Sequence, residues 1–176
     1  MDSNTELTII DLAAKAGRAL QEKGLLLAVA ESCTGGGVAH AITDVAGSSS
    51  WFECGYITYS NASKTELLDV SAALIAQHGT VSEEVAAAMA EGALTNSNAH
   101  ITLSTTGIAG PGGAVPGKPV GTVCFGWTDG HETQTERLVL SGDRQSIREQ
   151  TVSHALRGLL RFMEHGRSAA AVHDNG

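Results

Sequence analysis

Between residues 5 and 23, Leu7, Ile10, Ala13, Ala14, Gly17 and Leu20 recur at helical spacing with polar residues between them, and Gly24 stands where such a helix would end. The pattern then changes. Residues 25–30 are a continuous apolar run, as in a strand buried on both faces, and after three glycines residues 38–45 return to helical spacing. Residues 55–59, GYITY, are rich in β-formers, and NASKTELLDV at 61–70 opens with residues that cap helices. Residues 71–78 predict a short helix ending near Gly79. Residues 82–94 predict a longer one, capped by Ser82, with Glu83 and Glu84 in the first turn where the helix dipole favours carboxylates. HITLSTTG, at 100–107, runs from a strand into a glycine-rich segment. Strands over 120–127 and 133–140 and a helix from about 144 to 164 close the pattern.

Strands alternating with helices predict an α/β fold: a three-layer αβα sandwich with a mixed, mostly parallel sheet. In such sheets ligands collect at the carboxyl ends of the strands, and three polar, glycine-rich segments fall at those ends here. The length fits one domain over 1–165. The tail at 166–176 has little to bury and is expected to be disordered.

Composition narrows the function classes. The 176 residues are 42% hydrophobic and 17% charged, with 21 glycines, which suits a globular chain with many tight turns. A formal net charge of −8 without a cluster of Lys or Arg argues against a nucleic-acid partner, whose affinity comes from neutralised phosphates. Three cysteines, Cys33, Cys54 and Cys124, are odd in number, widely spaced and outside CxxC pairs, so neither a disulfide framework nor a zinc site is suggested and a reducing cytoplasm is the easier reading. No run approaches the roughly 20 apolar residues that span a bilayer, and the N-terminus lacks the design of a signal peptide.

The chemistry concentrates in three segments. In AESCTGGG, residues 30–37, Ser32 would stand on a sharp turn at a strand end, with glycines that let a ligand approach and helix N–H groups that suit an anion. The plain alternative is a capped turn. Cys33 is the rival nucleophile, because a thiol near a helix N-terminus can have a lowered pKa. In GYITYSNASK, Tyr56 and Tyr59 would point to opposite faces of a regular strand, and Tyr59 lies closer to its end. Lys64 falls in the first turn of the next helix if Asn61 is the cap, where the dipole disfavours a cation. An ordinary Lys is neutral roughly 0.1% of the time near pH 7.4, but burial and an adverse dipole that lower its pKa to about 8 would make it neutral roughly 20% of the time, enough to act as a base. The alternative is a solvated lysine that does nothing. STTGIAGPGG, residues 104–113, offers hydroxyls and N–H groups to a phosphate or an oxyanion, or merely turns the chain. In GDR, Asp143 suits a helix cap, and Arg144 either clamps an anion or pairs on the surface.

Taken together, AESCTGG, GYITYSNASK, GTVSEEVA, TTGIAGPGG, KPVGTV and GDR, in this order and at these separations, resemble the CinA C-terminal domain family from the first helix to about Met163. The resemblance implies a nicotinamide-nucleotide amidohydrolase of cytoplasmic pyridine-nucleotide recycling, which deamidates nicotinamide mononucleotide to nicotinate mononucleotide and ammonia. It implies no metal or organic cofactor. It carries a serine nucleophile onto Ser32 and a Tyr and a Lys onto Tyr59 and Lys64. Glu31, Thr34, Gly35, Gly36, Thr105, Thr106, Gly107, Gly110 and Arg144 are the accompanying candidates for substrate binding. The chain looks like the stand-alone form, beginning about thirty residues before AESCTGG without room for the further N-terminal domain of some family members. Two other classes stay open: a non-catalytic pyridine-nucleotide-binding or regulatory protein of the same fold, and a cysteine-dependent amidase. A small-molecule substrate, no nucleic acid, no membrane and a symmetric dimer are the expected associations.

Overall fold

The computed structural model describes the backbone of residues 7–170 and the side chains of residues 7–165. Helix α1 (Ile9–Lys23) starts at Thr8, whose hydroxyl accepts the Asp11 N–H while the Asp11 carboxylate takes the Thr8 N–H, and it ends at Gly24 in the left-handed region. Strand β1 (Leu27–Glu31) is buried throughout and leads through a turn into α2 (Gly37–Thr43). A single 3₁₀ turn at Ser48–Ser50 precedes β2 (Phe52–Ile57). Helices α3 (Asn61–Leu68), α4 (Ala72–His78) and α5 (Glu83–Thr95) follow, then β3 (Ile101–Gly107), β4 (Thr122–Thr128), β5 (Thr133–Val139) and α6 (Arg144–Ala170). The backbone of 166–170 continues α6, and 171–176 of the expected tail lie outside the described residues. No helix among the described residues is long and apolar enough to cross a membrane.

The five strands lie in the order β2-β1-β3-β4-β5. β1 pairs in parallel with β2 and β3, while β3–β4 and β4–β5 are antiparallel, so β4 alone runs against the other four strands. The sheet is mixed, and helices cover both faces. On one face α1, α2 and α6 bury Leu20, Ile42 and Leu156 with Leu27, Leu103 and Phe125 from the sheet. On the other, α3, α4 and α5 gather around Leu68, Val85 and Met89.

β3 shows how a polar sequence becomes a central strand. Its side chains alternate between the layers. Thr102 and Ser104 turn towards α5 and donate their hydroxyls to Ala90 O and Ala86 O at 2.7 and 2.6 Å, which removes the cost of burying them. β2 differs from the expected 55–59. It begins at Phe52 and stops at Ile57, because its register is set by pairing along β1, from Leu27–Phe52 to Glu31–Ile57. Tyr59 therefore lies beyond the strand, and the opposite-face argument applies only to Tyr56, whose hydroxyl donates to Asn96 O.

Because β1, β2, β3 and β5 point the same way, the segments after Glu31, Ile57, Gly107 and Val139 all gather at one edge of the sheet. That edge holds the polar, glycine-rich motifs.

Candidate active site

Ser32 leaves the end of β1 on a turn in which Gly35 and Gly36 have φ of 57° and 96°, a backbone that L side chains rarely adopt. Its N–H donates to Thr105 O at 2.9 Å, and its carbonyl accepts from Gly35 N–H at 3.0 Å. Only 7% of Ser32 is exposed. Lys64 reaches it from α3: Lys64 Nζ lies 3.0 Å from Ser32 Oγ and donates to Thr58 O at 2.6 Å.

Lys64 is buried, and burial pushes its pKa down from the ordinary 10.5 to about 8. Burial is one of the two expected causes; the residue expected to cap the helix is what the structure corrects. The cap of α3 is Ser60, whose hydroxyl accepts the Ser63 N–H at 3.1 Å, so Asn61 is the first helical residue and desolvation is the main cause of the lowered pKa. Asn61 instead accepts the Thr80 hydroxyl at 2.7 Å. The solvated-lysine reading fails for the same reason: the amine has no solvent to face.

Cys33 is also buried, and its thiol is pushed up to about 12 by desolvation. Its place beside a helix start therefore does not yield a thiolate.

A cavity of about 260 Å³ opens over Ser32. Its walls include Tyr59, Thr80, Thr106, Gly107 and Gly110, with Arg144 at the rim. Tyr59 is 62% exposed and accepts a hydrogen bond from Arg144 Nη2 at 3.1 Å, so it stands at the mouth while Lys64 lies behind Ser32. Arg144 Nη1 also donates to Gly110 O at 2.8 Å, tying the start of α6 to the glycine-rich loop. The N–H groups of Ala109, Gly110, Gly112 and Gly113 donate to no protein acceptor among the described residues.

Five of the residues singled out for substrate binding lie outside this cavity's lining. Glu31 is fully buried, and its carboxylate accepts the N–H groups of Gly36, Val38 and Ala39 at 3.1, 3.0 and 2.8 Å, so it caps α2. Gly35 and Gly36 shape the turn, and the hydroxyls of Thr34 and Thr105 bond each other at 2.8 Å. Thr106 does line the cavity, but its hydroxyl is committed to Thr80 O at 3.0 Å. A strand-end polar residue reads the same in sequence whether it binds a ligand or its own backbone.

Sequence reasoning misses Arg148, Thr58 and Thr80. The first donates Nε to Cys33 O at 3.2 Å and Nη2 to Thr34 O at 3.0 Å, and the only hint in the sequence is its i+4 spacing from Arg144 on one helix face. A larger, more apolar cavity of about 660 Å³ lies between α1, α2 and α6 on the other side of Arg144, and neither Ser32 nor Lys64 lines it. Among the described residues, no three His, Cys, Asp or Glu side chains come together to hold a metal ion.

A buried Ser–Lys pair at a strand-to-turn junction, beneath a glycine-rich loop, can be compared with known proteins. The family profile described as the CinA C-terminal domain matches residues 9–163. The chain belongs to the CinA C-terminal domain family. Among curated members, it is 50% identical over 154 residues to the nicotinamide-nucleotide amidohydrolase PncC of Pseudomonas putida, covering 88% of this chain and 96% of that one. To the protein of the same name from Escherichia coli strain K12 it is 46% identical over 156 residues, covering 88% and 94%. Among solved CinA structures, the competence damage-inducible protein A (ComA) of Klebsiella pneumoniae superposes with a TM-score of 0.88 at 35% identity, covering 90% of this chain and 99% of that one.

Proposed function

We propose that this chain deamidates nicotinamide mononucleotide to nicotinate mononucleotide and ammonia, with Ser32 as nucleophile and Lys64 as its base. The observation that carries the reading is the 3.0 Å contact between Ser32 Oγ and a buried amine whose pKa is lowered to about 8. The substrate class comes from relatives named nicotinamide-nucleotide amidohydrolase, of which this chain covers nearly the whole length.

Protonated Lys64 donates to Ser32 Oγ. Once neutral, it keeps an N–H on Thr58 O and turns its lone pair to the serine hydroxyl, so the contact reverses. Lys64 then takes the hydroxyl proton as Oγ bonds to the carboxamide carbon, and returns that proton to the amide nitrogen as the C–N bond breaks. Ammonia leaves an ester on Ser32. Water attacks this ester with Lys64 again accepting the proton, and the carboxylate departs as Ser32 regains its hydrogen. The N–H of Cys33, which follows the nucleophile and donates to no carbonyl among the described residues, and the free N–H groups of the 109–113 loop are the donors available to the oxyanion. Direct contact between Lys64 and Ser32 favours proton transfer without Tyr59. Tyr59 and Arg144 at the rim serve the nucleotide part, Arg144 as the cation for its phosphate.

The test is ammonia release from nicotinamide mononucleotide by the wild-type chain beside Ser32→Ala. Turnover by the wild type alone, with substrate still bound by the variant, is the expected result. Full activity in the variant would remove Ser32 from the mechanism, and ligand binding without ammonia release by the wild type would make the chain a binding protein.

A further inference from the structure

The turn carrying Ser32 presents two consecutive carbonyls, Cys33 O and Thr34 O, to α6. Among the described residues Cys33 O has no partner except Arg148 Nε, and Thr34 O shares Arg148 Nη2 with the Gly37 N–H. We propose that Arg148 is a positioning residue for the nucleophile: from α6 it clamps the Cys33–Thr34 turn and so holds Ser32 Oγ at hydrogen-bond distance from Lys64. The proposal rests on the Ser–Lys reading above.

The other restraints on this turn act through other groups. Ser32 N–H is held by β3 through Thr105 O, the Thr34 hydroxyl bonds that of Thr105 at 2.8 Å, the Ser32 carbonyl is tied only within the turn, and Glu31 grips the amides that start α2. Among the described residues, the two carbonyls following the nucleophile are anchored to a distant element by Arg148 alone, across more than a hundred residues of chain. Its planar fork suits a pair of neighbouring acceptors, which the ammonium of a lysine would not span in the same geometry. The support is stiff, because Ile147 and Leu156 fix α6 in the core and Val152 packs against Gly37. The guanidinium also favours negative charge at the Cys33 position beside the nucleophile, the sign of field that an oxyanion needs.

The test compares Arg148→Met, which keeps the apolar stem, and Arg148→Lys, which keeps the charge without the fork, with the wild type. Two rates are read: turnover of nicotinamide mononucleotide, and phosphonylation of Ser32 by a fluorophosphonate, followed by intact mass. Misplacement of a reacting group by about 1 Å can cost on the order of a hundredfold, so both variants should lose roughly ten- to a hundredfold in kcat and in labelling rate, with KM within about threefold. In Arg148→Ala, added methylguanidinium should restore part of both rates, since the 660 Å³ cavity gives access to the vacated place.

Wild-type rates in both variants would overturn the clamp, as would a raised KM with kcat intact, which would make Arg148 a substrate ligand. Should Arg148→Met fail to fold, Arg148→Lys carries the comparison. A wild-type chain that labels at Ser32 but does not turn over the mononucleotide would refute the substrate assignment, while the labelling rates still decide the clamp. A wild-type chain that does not label would refute the nucleophile and the clamp with it.

Discussion

If Lys64 must be neutral to accept the Ser32 proton, kcat/KM should follow the titration of a lysine with an apparent pKa near 8. The neutral fraction is then about 0.1 at pH 7, about 0.5 at pH 8 and about 0.9 at pH 9, so activity should rise about tenfold between pH 7 and pH 9 and level off. A lysine at its ordinary pKa would still be climbing at pH 9. The range starts at pH 7 because a phosphate monoester titrates near pH 6, and below that the substrate would contribute its own change.

The lowered pKa also predicts how stability depends on pH. Between pH 8 and 10.5 the unfolded chain holds a proton on Lys64 that the folded chain does not, so raising the pH across this window favours the folded state, by about 1.4 kcal/mol for each tenfold fall in proton concentration. The burden of burying this amine is full below pH 8, at about 3 kcal/mol, and disappears as pH approaches 10.5. Lys64→Met removes the burden along with the catalysis. Urea unfolding of wild type and variant from pH 7 to 10 should therefore show the wild type gaining up to about 3 kcal/mol relative to the variant. A pH-independent kcat/KM between 7 and 9, or a stability difference that does not change with pH, would refute the assignment of Lys64 as a lowered-pKa base.

Other expectations follow from the same contacts. Glu31→Gln weakens acceptance of three N–H groups at the start of α2, which should cost about 1–3 kcal/mol and lower the calorimetric Tm by roughly 3–10 °C. Arg144→Met should raise KM roughly ten- to a hundredfold while kcat changes little, and an unchanged KM would exclude Arg144 as a phosphate ligand. With its pKa near 12, the Cys33 thiol is ionised in about one molecule in ten thousand at pH 8, so iodoacetamide should leave turnover intact and Cys33 unmodified by mass spectrometry.

The parts of this fold legible in the sequence are those decided locally. The apolar run into β1, the glycines after it and the helix that follows announce themselves within about twenty residues, and Gly24, Gly79 and Ser82 cap helices where their types suggest. Composition alone places β2 too late, because it is an edge strand with one side half-exposed, and its register is fixed by β1. The sequence points to Lys64 for an incomplete reason. Its neighbours in NASKTELL are mostly polar, and the burial that lowers its pKa comes from the docking of α3 over the Ser32 turn, a tertiary contact. Arg148 gives almost no signal, since one arginine on a polar helix face looks the same whether it meets water or a carbonyl 114 residues away.

The caps also decide where an anionic substrate can sit. Besides α1, which Thr8 and Asp11 cap, four helices start near this edge of the sheet, and an uncommitted helix N-terminus would be a ready seat for a phosphate. Each is already served from within: α2 by the Glu31 carboxylate, α3 by Ser60, α5 by Ser82 and α6 by Asp143, whose carboxylate accepts the Ser146 N–H at 2.8 Å. Two of these caps are carboxylates, and α5 adds Glu83 and Glu84 in its first turn, so these termini repel a second anion. What stays open is the run of N–H groups in the 109–113 loop and the Arg144 guanidinium tied to it. On the proposed reading, a chain with a net charge of −8 receives a phosphorylated substrate at the rim where Arg144 meets these free amides, and this sets the direction in which the substrate points. That reading puts its charged end at the mouth by Tyr59 and its carboxamide inward, on Ser32.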